Sequence, residues 1–142
     1  MYVMMNLSDH LCFKTYVLSR YLTSLYKTFL DEISLTYPQY LVMLVLWENG
    51  SMRITKIGEF LHLDKATLSS LLKRMENNGL LTRVRSSSDE RIVQISLTEK
   101  GAKLKEKASH IPFAVQDCLG LPKLTKDQLM SNLDDIIIKS KK

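Results

Sequence analysis

Hydrophobic and polar residues recur with the period of an α-helix between positions 65 and 78. Four apolar residues stand at i, i+3, i+4 and i+7 and therefore share one side of the predicted helix: Leu68, Leu71, Leu72 and Met75. Asp64 lies where its carboxylate can accept an unpaired backbone N–H as an N-cap, and Asn78-Gly79 provides a C-terminal stop. The pattern predicts an amphipathic helix that begins near Lys65.

The other side of this helix combines short hydroxyl groups with long cationic side chains. It carries Lys65, Thr67, Ser69, Ser70, Lys73 and Arg74. A shorter helix is predicted over residues 55–61, and the turn at 61–64 joins it to the helix that begins near Lys65. This arrangement is typical of a helix-turn-helix, in which the second helix reads base edges in the major groove. A solvated surface is the alternative interpretation for an isolated helix of this kind.

A strand-like alternation follows the second helix. Residues 80–85 and 91–97 are each predicted to form a strand, and the polar residues 86–90 form the loop between them. Arg83, Arg85 and Arg91 are expected near the tip of this hairpin, where arginine can enter the minor groove of DNA. Asp89 is expected to orient the Arg91 guanidinium by a charge-assisted hydrogen bond. An ordinary salt-bridged turn is the alternative, but the adjacent helices favour double-stranded DNA as the partner.

Apolar residues flank this region on both sides, in numbers that one small domain cannot easily cover. Residues 7–30 are apolar around much of a helix, and Thr98 is expected to cap a helix that runs toward Pro112, with a bend or break there. Capping-box sequences are expected to open two further helices, one at Thr36-x-x-Gln39 and one at Thr125-x-x-Gln128.

The predicted fold is mainly α with a small β-hairpin wing, and it has three regions. Residues 1–34 form an N-terminal dimerisation helix, residues 35–98 the winged helix-turn-helix, and residues 99–142 the C-terminal dimerisation helices. Packing of all the apolar faces within a single bundle is the alternative. A two-fold homodimer is preferred, because paired recognition helices can then meet two half-sites of a palindromic operator about 34 Å apart.

The composition narrows the classes of function. The 142 residues suffice for one domain, and the net charge of +5 favours a polyanionic partner. No apolar run approaches the ~20 residues of a membrane span and no signal peptide is recognisable, so a cytoplasmic location without a membrane partner is expected. The two cysteines lack the spacing of a zinc site. We therefore predict no metal, no cofactor and no catalytic residues.

Cys12 is expected in or just after the first turn of the first long helix, with Ser8 or Asp9 as the N-cap. Unpaired N–H groups and the positive end of the helix dipole favour thiolate over thiol at that position. A thiolate is the form that attacks a peroxide oxygen. On the residues alone, an inert buried cysteine is the alternative, because free cysteine is one of the commonest buried small residues.

Several short motifs in combination resemble the MarR family of transcriptional regulators. They are Leu35-Thr36-Tyr37-Pro38-Gln39-Tyr40, LVLWE at residues 44–48, Leu72-Lys73-Arg74-Met75-Glu76, Asp89-Glu90-Arg91 and Ile95-Ser96-Leu97-Thr98. Within that family, Leu11-Cys12-Phe13 followed by Tyr16 and Tyr26 resembles the OhrR and SarZ/MgrA branch of thiol-based oxidant sensors. The resemblance runs from about residue 11 to residue 108.

The resemblance implies a redox site around Cys12. In the sensor branch the matching cysteine is the peroxidatic residue, and the tyrosines whose hydroxyls hold it align with Tyr16, Tyr26 and Tyr37. Cys118 lies outside the strongest match. It is either a bystander or, as in some OhrR-type proteins, a resolving thiol that forms a disulfide between subunits. The chain departs from OhrR-like sequences at positions 65–66 and 69–70, so the operator sequence stays open.

The leading functional hypothesis is a dimeric regulator, expected to be a repressor, that leaves DNA when an organic hydroperoxide or a related oxidant oxidises Cys12. The alternative within the family is a regulator whose signal is a small aromatic acid, with incidental cysteines. A thiol peroxidase is disfavoured, because Cys12 lacks a peroxiredoxin-like Pro-x-x-x-Thr-x-x-Cys setting. An interaction module that binds only proteins would show no salt-dependent binding to a DNA duplex.

Overall fold

The computed structural model describes residues 6–140, in which seven α-helices accompany three short strands. The outermost residues of the first and third predicted regions, 1–5 and 141–142, lie outside the described part. A short 3-10 helix, Leu7–Asp9, precedes the first α-helix. The elements that follow, in chain order, are α1 Leu11–Glu32, α2 Tyr37–Asn49, β1 Met52–Arg53, α3 Ile54–Leu61, α4 Lys65–Asn77, β2 Leu81–Arg85, β3 Val93–Leu97, α5 Glu99–Ala108, α6 Ile111–Leu119 and α7 Lys123–Ser140.

The sheet consists of the predicted hairpin and one further strand. β2 and β3 pair antiparallel with Arg83 opposite Ile95, and β1 pairs with the other edge of β3, so that the strand order is β1-β3-β2. The mainly helical fold with a small wing is therefore confirmed. The strands of the hairpin begin one and two residues later than predicted, at Leu81 and Val93. β1 spans only two residues, too few to produce a readable alternation.

The helix-turn-helix is formed by α3 and α4, as predicted. His62 turns the chain between the two helices with a left-handed φ of 53°. Asp64 caps α4, where its side chain accepts a hydrogen bond from the backbone N–H of Thr67 at 2.9 Å. All four predicted apolar residues of α4 are at most 4 % exposed, and Gly79 follows the helix with a φ of 72°. The buried stripe therefore fixes which side of α4 faces outward.

Two of the predicted helix starts are confirmed by their caps. Thr36 and Gln39 form the complete capping box of α2, with Thr36 N–H donating to Gln39 Oε1 at 3.0 Å. Thr98 caps α5 by accepting a hydrogen bond from Gly101 N–H at 3.0 Å. The predicted break before Pro112 is also present, because α5 ends at Ala108 and Pro112 stands in the first turn of α6. A proline is tolerated there, since its missing N–H would have no partner within the helix.

Two other predicted caps are wrong. Thr125 does not open the last helix, because α7 begins at Lys123, directly after Pro122, whose carbonyl accepts a hydrogen bond from Lys126 N–H at 3.0 Å. The proline sets the start of the helix two residues before the capping-box sequence. Ser8 and Asp9 do not cap α1 either, since they belong to the 3-10 helix and His10 is the N-cap residue.

The core lies between the winged helix-turn-helix and α2, and it also includes Ala108 of α5 and Ile111 and Val115 of α6. The outer helices contribute little, because Leu30 is the one buried residue of α1 and α7 buries no residue in the described chain. Large apolar side chains of the terminal helices are exposed, among them Phe113 of α6 at 72 % and Leu124 of α7 at 81 %. None of the helices within residues 6–140 is both long enough and apolar enough to cross a lipid bilayer.

Candidate nucleic-acid interface and thiol site

The outward side of α4 carries the residues predicted to read DNA. Five of them are exposed and Ser69, beside the buried Leu68, is half-buried. The exposed five are Lys65, Thr67, Ser70, Lys73 and Arg74. The structure therefore brings these side chains together on one continuous face of one helix, where cations and hydroxyls can approach phosphates and base edges.

The first turn of α4 is fixed by a double contact between Asp64 and Thr67. Asp64 Oδ1 accepts a hydrogen bond from the Thr67 backbone N–H at 2.9 Å, and Asp64 Oδ2 accepts one from the Thr67 hydroxyl at 2.6 Å. The hydroxyl and backbone donors of Thr67 lower the pKa of the Asp64 carboxyl below its usual range. The sequence predicted the cap but not the side-chain contact, which orients the Thr67 hydroxyl.

The tip of the wing carries the arginine contact that the sequence predicted, between Asp89 and Arg91. Asp89 Oδ1 accepts hydrogen bonds from Arg91 Nε at 3.1 Å and from the Arg91 backbone N–H at 3.0 Å. The Arg91 donors lower the pKa of Asp89, and the Arg91 side chain is 90 % exposed. Arg85 donates to the carbonyl oxygen of Glu90 at 3.3 Å and is also exposed. Both guanidinium groups are thus placed at the outer end of the hairpin.

Arg83 does not lie at the tip, which corrects the prediction for this residue. It stands in the middle of β2 and is half-buried against α4, where Glu76 accepts its Nε–H at 2.9 Å and its backbone N–H at 3.2 Å. The Arg83 donor lowers the pKa of Glu76. Glu76 was not predicted as a site residue, although it stands within one of the quoted motifs. The one sequence signal for this contact is a carboxylate seven residues before an arginine in a predicted strand, and only the fold brings the two side chains together.

Both cysteines are free and exposed. Cys12 is the second residue of α1, in its first turn as predicted, and Cys118 is the residue before the last of α6. Fourteen residues separate Cys12 from Tyr26 along α1, a distance of about 21 Å at the rise of an α-helix. Within one chain, therefore, Tyr26 cannot reach the Cys12 sulfur.

The tyrosines predicted to support the thiolate fall into two places. Tyr26 and Tyr37 pack together with ring centroids 4.9 Å apart, and Tyr40, which the sequence analysis did not single out, lies 5.7 Å from Tyr26. Burial raises the pKa of Tyr26 and Tyr37, and it raises the pKa of Tyr40 to about 12. Tyr16 lies one helical turn from Cys12 and is 60 % exposed, with the Arg20 guanidinium 5.5 Å from its ring centroid. The raised pKa values keep Tyr26, Tyr37 and Tyr40 protonated at neutral pH, so their hydroxyls can donate hydrogen bonds.

Two cavities lie near the candidate site residues, one beside the tyrosines and one beside the helix-turn-helix. One of about 510 Å³ is lined by α1 and the start of α2, with Arg20, Lys27 and Tyr37 on its wall. The other, of about 630 Å³, lies beside the helix-turn-helix and is lined by Glu59, Lys65 and others, together with Ser140 of α7. Within residues 6–140, no group of three or more histidine, cysteine, aspartate and glutamate side chains is placed to hold a metal ion.

A helix-turn-helix with a cationic second helix and an arginine-bearing wing defines a DNA-binding protein of the winged-helix class. The family described as transcriptional regulator SarA/Rot matches residues 24–108. The chain belongs to this family of winged-helix transcriptional regulators, which are DNA-binding proteins and not enzymes.

Individual relatives confirm the resemblance to the OhrR and SarZ branch. The organic hydroperoxide resistance transcriptional regulator of Bacillus subtilis strain 168 is 52 % identical over 125 residues, which cover 88 % of this chain and 83 % of that protein. The regulator SarZ of Staphylococcus aureus strain USA300 is 35 % identical over 134 residues, covering 94 % of this chain and 90 % of SarZ.

The solved structures of AbfR, a Staphylococcus epidermidis protein, are similar over nearly the whole chain. Reduced AbfR bound to DNA is 33 % identical, covers 97 % of this chain and 96 % of its own, and superposes with a TM-score of 0.78. The disulfide form of AbfR is 36 % identical, covers 94 % of this chain and 93 % of its own, and has a TM-score of 0.66. Overoxidised AbfR bound to DNA has a TM-score of 0.77, so the chain is more similar in shape to both DNA-bound forms of AbfR than to its disulfide form.

Proposed function

We propose that this regulator is a dimeric repressor that binds a palindromic operator and senses organic hydroperoxides through Cys12. The observation that carries the proposal is the position of Cys12, exposed in the first turn of α1, at the positive end of the helix dipole and open to an oxidant. The relatives support it. One is named for organic hydroperoxide resistance, and AbfR has been solved in reduced, overoxidised and disulfide forms.

DNA binding assigns a role to each part of the winged helix. α4 enters the major groove with the exposed face of cations and hydroxyls, and Arg85 and Arg91 contact the flanking DNA from the wing. Asp89 holds the Arg91 guanidinium, and Arg83 contributes by holding the wing on α4 through Glu76. From the DNA partner we also infer a cytoplasmic location. The two copies of this surface in a homodimer then contact two half-sites.

The second subunit is required at the thiol as well as on DNA. Because Tyr26 lies about 21 Å from Cys12 along α1, its hydroxyl and that of the adjacent Tyr37 must reach Cys12 from the partner chain. Tyr16, one turn along α1 from Cys12, serves the thiol of its own chain. Phenol donors around the sulfur stabilise the thiolate over the thiol. The proposed sensing site is thus complete only in the dimer.

The chemistry consumes one hydroperoxide for each Cys12 thiol, and therefore one for each disulfide that forms. The Cys12 thiolate attacks a peroxide oxygen, the S–O bond forms as the O–O bond breaks, and the alkoxide takes a proton and leaves as the alcohol. Cys12 is then a sulfenic acid. The Cys118 thiolate of the partner subunit attacks that sulfur, an S–S bond forms, and the oxygen leaves as water after taking a proton.

The fold favours a bridge between subunits over a bridge within one chain. Cys12 lies 17 residues, or about 25 Å, from Phe29 along α1, and Phe29 contacts His110 at the start of α6. From His110 to Cys118 the chain advances only about 12 Å. If α6 ran straight back along α1 from the level of Phe29, the Cα atoms of Cys12 and Cys118 in one chain would lie about 13 Å apart, beyond the ~7 Å that a disulfide allows.

The proposal is tested with wild type, Cys12→Ser and Cys118→Ser, each studied before and after addition of cumene hydroperoxide. Non-reducing gels report the covalent dimer, and mobility shifts of an operator duplex report DNA binding. Wild type is expected to form a dimer-sized band and to leave the operator, whereas Cys12→Ser forms no band and stays bound. Cys118→Ser is expected to form no band and to stop at the sulfenic acid.

The outcomes separate the proposal from its alternatives. Release of Cys12→Ser by peroxide would show that Cys12 is not the sensor. Release of both wild type and Cys12→Ser by a small aromatic acid such as salicylate, with no effect of peroxide on either, would instead support the ligand-responsive alternative. A protein that binds no duplex in dilute buffer would contradict the regulator altogether.

A further inference from the structure

The Thr67 hydroxyl lies in the first turn of α4, the part of a recognition helix that approaches base edges, and its only proton is already engaged. Its oxygen is 2.6 Å from Asp64 Oδ2, while Asp64 Oδ1 accepts the Thr67 backbone N–H at 2.9 Å. A threonine hydroxyl has one proton to donate and two lone pairs, and an ionised carboxylate can only accept. The Thr67 hydroxyl must therefore be the donor, and it can offer only lone pairs to DNA.

The Asp64 carboxylate is a stable partner for this proton at physiological pH. The Thr67 donors keep its pKa below the usual aspartate range, so it stays ionised at neutral pH. It is also the N-cap of α4, so its position is fixed by the helix as well as by the hydroxyl. The exposed negative charge beside Thr67 disfavours approach of a phosphate. The oxygen of Thr67 is thus directed toward a hydrogen-bond donor.

In the major groove, such donors exist on two bases only. Adenine presents its N6 amino group and cytosine its N4 amino group, whereas guanine and thymine present acceptors at the equivalent edge. We propose, resting on the DNA-binding function above, that Thr67 determines operator specificity by accepting a hydrogen bond from the amino group of adenine or cytosine. Thymine or guanine at that place on the contacted strand would face an oxygen with no proton to give.

The proposal predicts that one base position in each half-site is restricted to A or C on the contacted strand. Changing it to T or G should weaken binding about tenfold, the size of one mismatched contact. The other positions of the half-site should be unaffected. An operator in which Thr67 contacted only a phosphate would show no such restriction.

Asp64→Asn provides a test that exchanges donor and acceptor without removing the cap. Asparagine is as good an N-cap as aspartate, and its carbonyl oxygen can still accept the Thr67 N–H. Its amide group, however, donates to the Thr67 oxygen and frees the hydroxyl proton. The variant is therefore expected to shift the restricted position from A or C to T or G. Thr67→Val, which has no hydroxyl, is expected to lose the preference at that position alone.

The experiment selects binding sites from a random duplex library with the reduced wild-type dimer, Asp64→Asn, Thr67→Val and Ser70→Ala. Ser70→Ala is the matched control, because it removes a hydroxyl from the same face without touching Asp64. At the restricted position, we expect a shift from A or C to T or G with Asp64→Asn only, and a loss of preference with Thr67→Val only. Ser70→Ala, at a residue that also faces the DNA, should keep A or C at that position, and any preference it loses should lie elsewhere in the half-site. The same selected sequence from wild type, Asp64→Asn and Thr67→Val would overturn the proposal. Failure of the wild type to select any site would overturn the proposed DNA-binding function itself.

Discussion

At the scale of single residues, Gly101 shows how closely α5 packs on the start of the wing. A Cβ added there would overlap the carbonyl oxygen of Leu80 and lie 3.2 Å from the Leu97 side chain. Both backbone polar groups of Gly101 are hydrogen-bonded. Its N–H donates to Thr98 Oγ1 and its carbonyl oxygen accepts the Trp47 indole N–H, each at 3.0 Å. Gly101 thus joins α2, α5 and the wing at one point.

We expect Gly101→Ala to destabilise the protein by about 1–3 kcal/mol, the usual result of overpacking against atoms that cannot move. In an unconstrained helix the same change stabilises by about 0.5–1 kcal/mol, so the sign of the effect is itself the test. Urea unfolding followed by the fluorescence of Trp47, the one tryptophan of the chain, measures it. Ala102→Ser, at an exposed neighbour on α5, is the control. A Gly101→Ala protein that unfolds at the wild-type urea concentration would show that α5 can move away from Leu80.

Residue-level features were predictable where their signals are local in sequence. Three predicted helix caps lie within three residues of the N–H groups they accept and are confirmed: Thr36, Asp64 and Thr98. Contacts that depend on the fold were not. The hydrogen bond between the Asp64 and Thr67 side chains depends on the rotamers of both residues. The contact of Arg83 with Glu76 depends on the turn that brings β2 back against α4. Neither contact therefore follows from sequence spacing alone.

At the scale of elements, one ion pair joins the recognition helix to the wing. Glu76, in the last turn of α4, holds the backbone and the guanidinium of Arg83 in β2, and the side chains are only 34 % and 26 % exposed. Every other ion pair found within residues 6–140 joins positions on one helix or in one loop. The angle between the two DNA-contacting elements therefore depends on Glu76 more than on any of those pairs.

We expect Glu76→Gln to lower the free energy of unfolding by about 0.5–1 kcal/mol at pH 7, the value of a partly exposed pair. Because the folded pKa of Glu76 is depressed, this stabilisation is fully present above the unfolded pKa of about 4.3 and is lost as the pH falls through the folded pKa. The difference between wild type and variant should therefore shrink between pH 5 and pH 3, each of them about one unit from the unfolded pKa. Urea unfolding at a series of pH values measures it.

Glu59→Gln is the matched control for this prediction. Glu59 pairs with Lys56 at 2.7 Å, but both side chains are at least 60 % exposed and both belong to α3. Its replacement is expected to change stability by less than about 0.5 kcal/mol at any pH. Equal effects of the two substitutions, or a Glu76 effect that persists at pH 3, would show that the link between α4 and the wing does not depend on the charge of Glu76.

Helices and strands were predictable where their apolar residues recur with the period of a helix or a strand. α4 follows from its apolar stripe and the hairpin from its alternation, whereas β1 has no room for either signal. The last helix was found but its start was misplaced, because Pro122 sets the start before the capping-box sequence at Thr125. The tyrosine pair of α1 and α2 needed the packing of those helices, so its members could be assigned only through the family resemblance.

At the scale of the whole molecule, the terminal helices are too apolar for the surface of a single chain. Large apolar side chains are exposed on α1, α6 and α7, including Phe113 at 72 % and Ile136 at 52 %, and α7 buries none of its residues. Exposed apolar side chains concentrated on a few helices are typical of an interface. A second copy of the chain is the occupant that the proposed operator and the proposed thiol site both require.

We expect Phe113→Glu to convert the protein from a dimer to a monomer, because the substitution places a charge where the partner would bury an aromatic ring. Sedimentation velocity distinguishes a single 16.4 kDa chain from twice that mass. Phe60→Glu is the control, since Phe60 is 49 % exposed on α3, outside the terminal helices.

The monomer should also bind a full operator no more tightly than one half-site, because only one α4 and one wing can contact the DNA. It should lose its response to peroxide as well, because the partner's tyrosines are no longer at Cys12. A Phe113→Glu protein that stays dimeric and keeps full operator affinity would mean that the chains associate through another surface, and the placement of Tyr26 and Tyr37 at the opposite Cys12 would then fall.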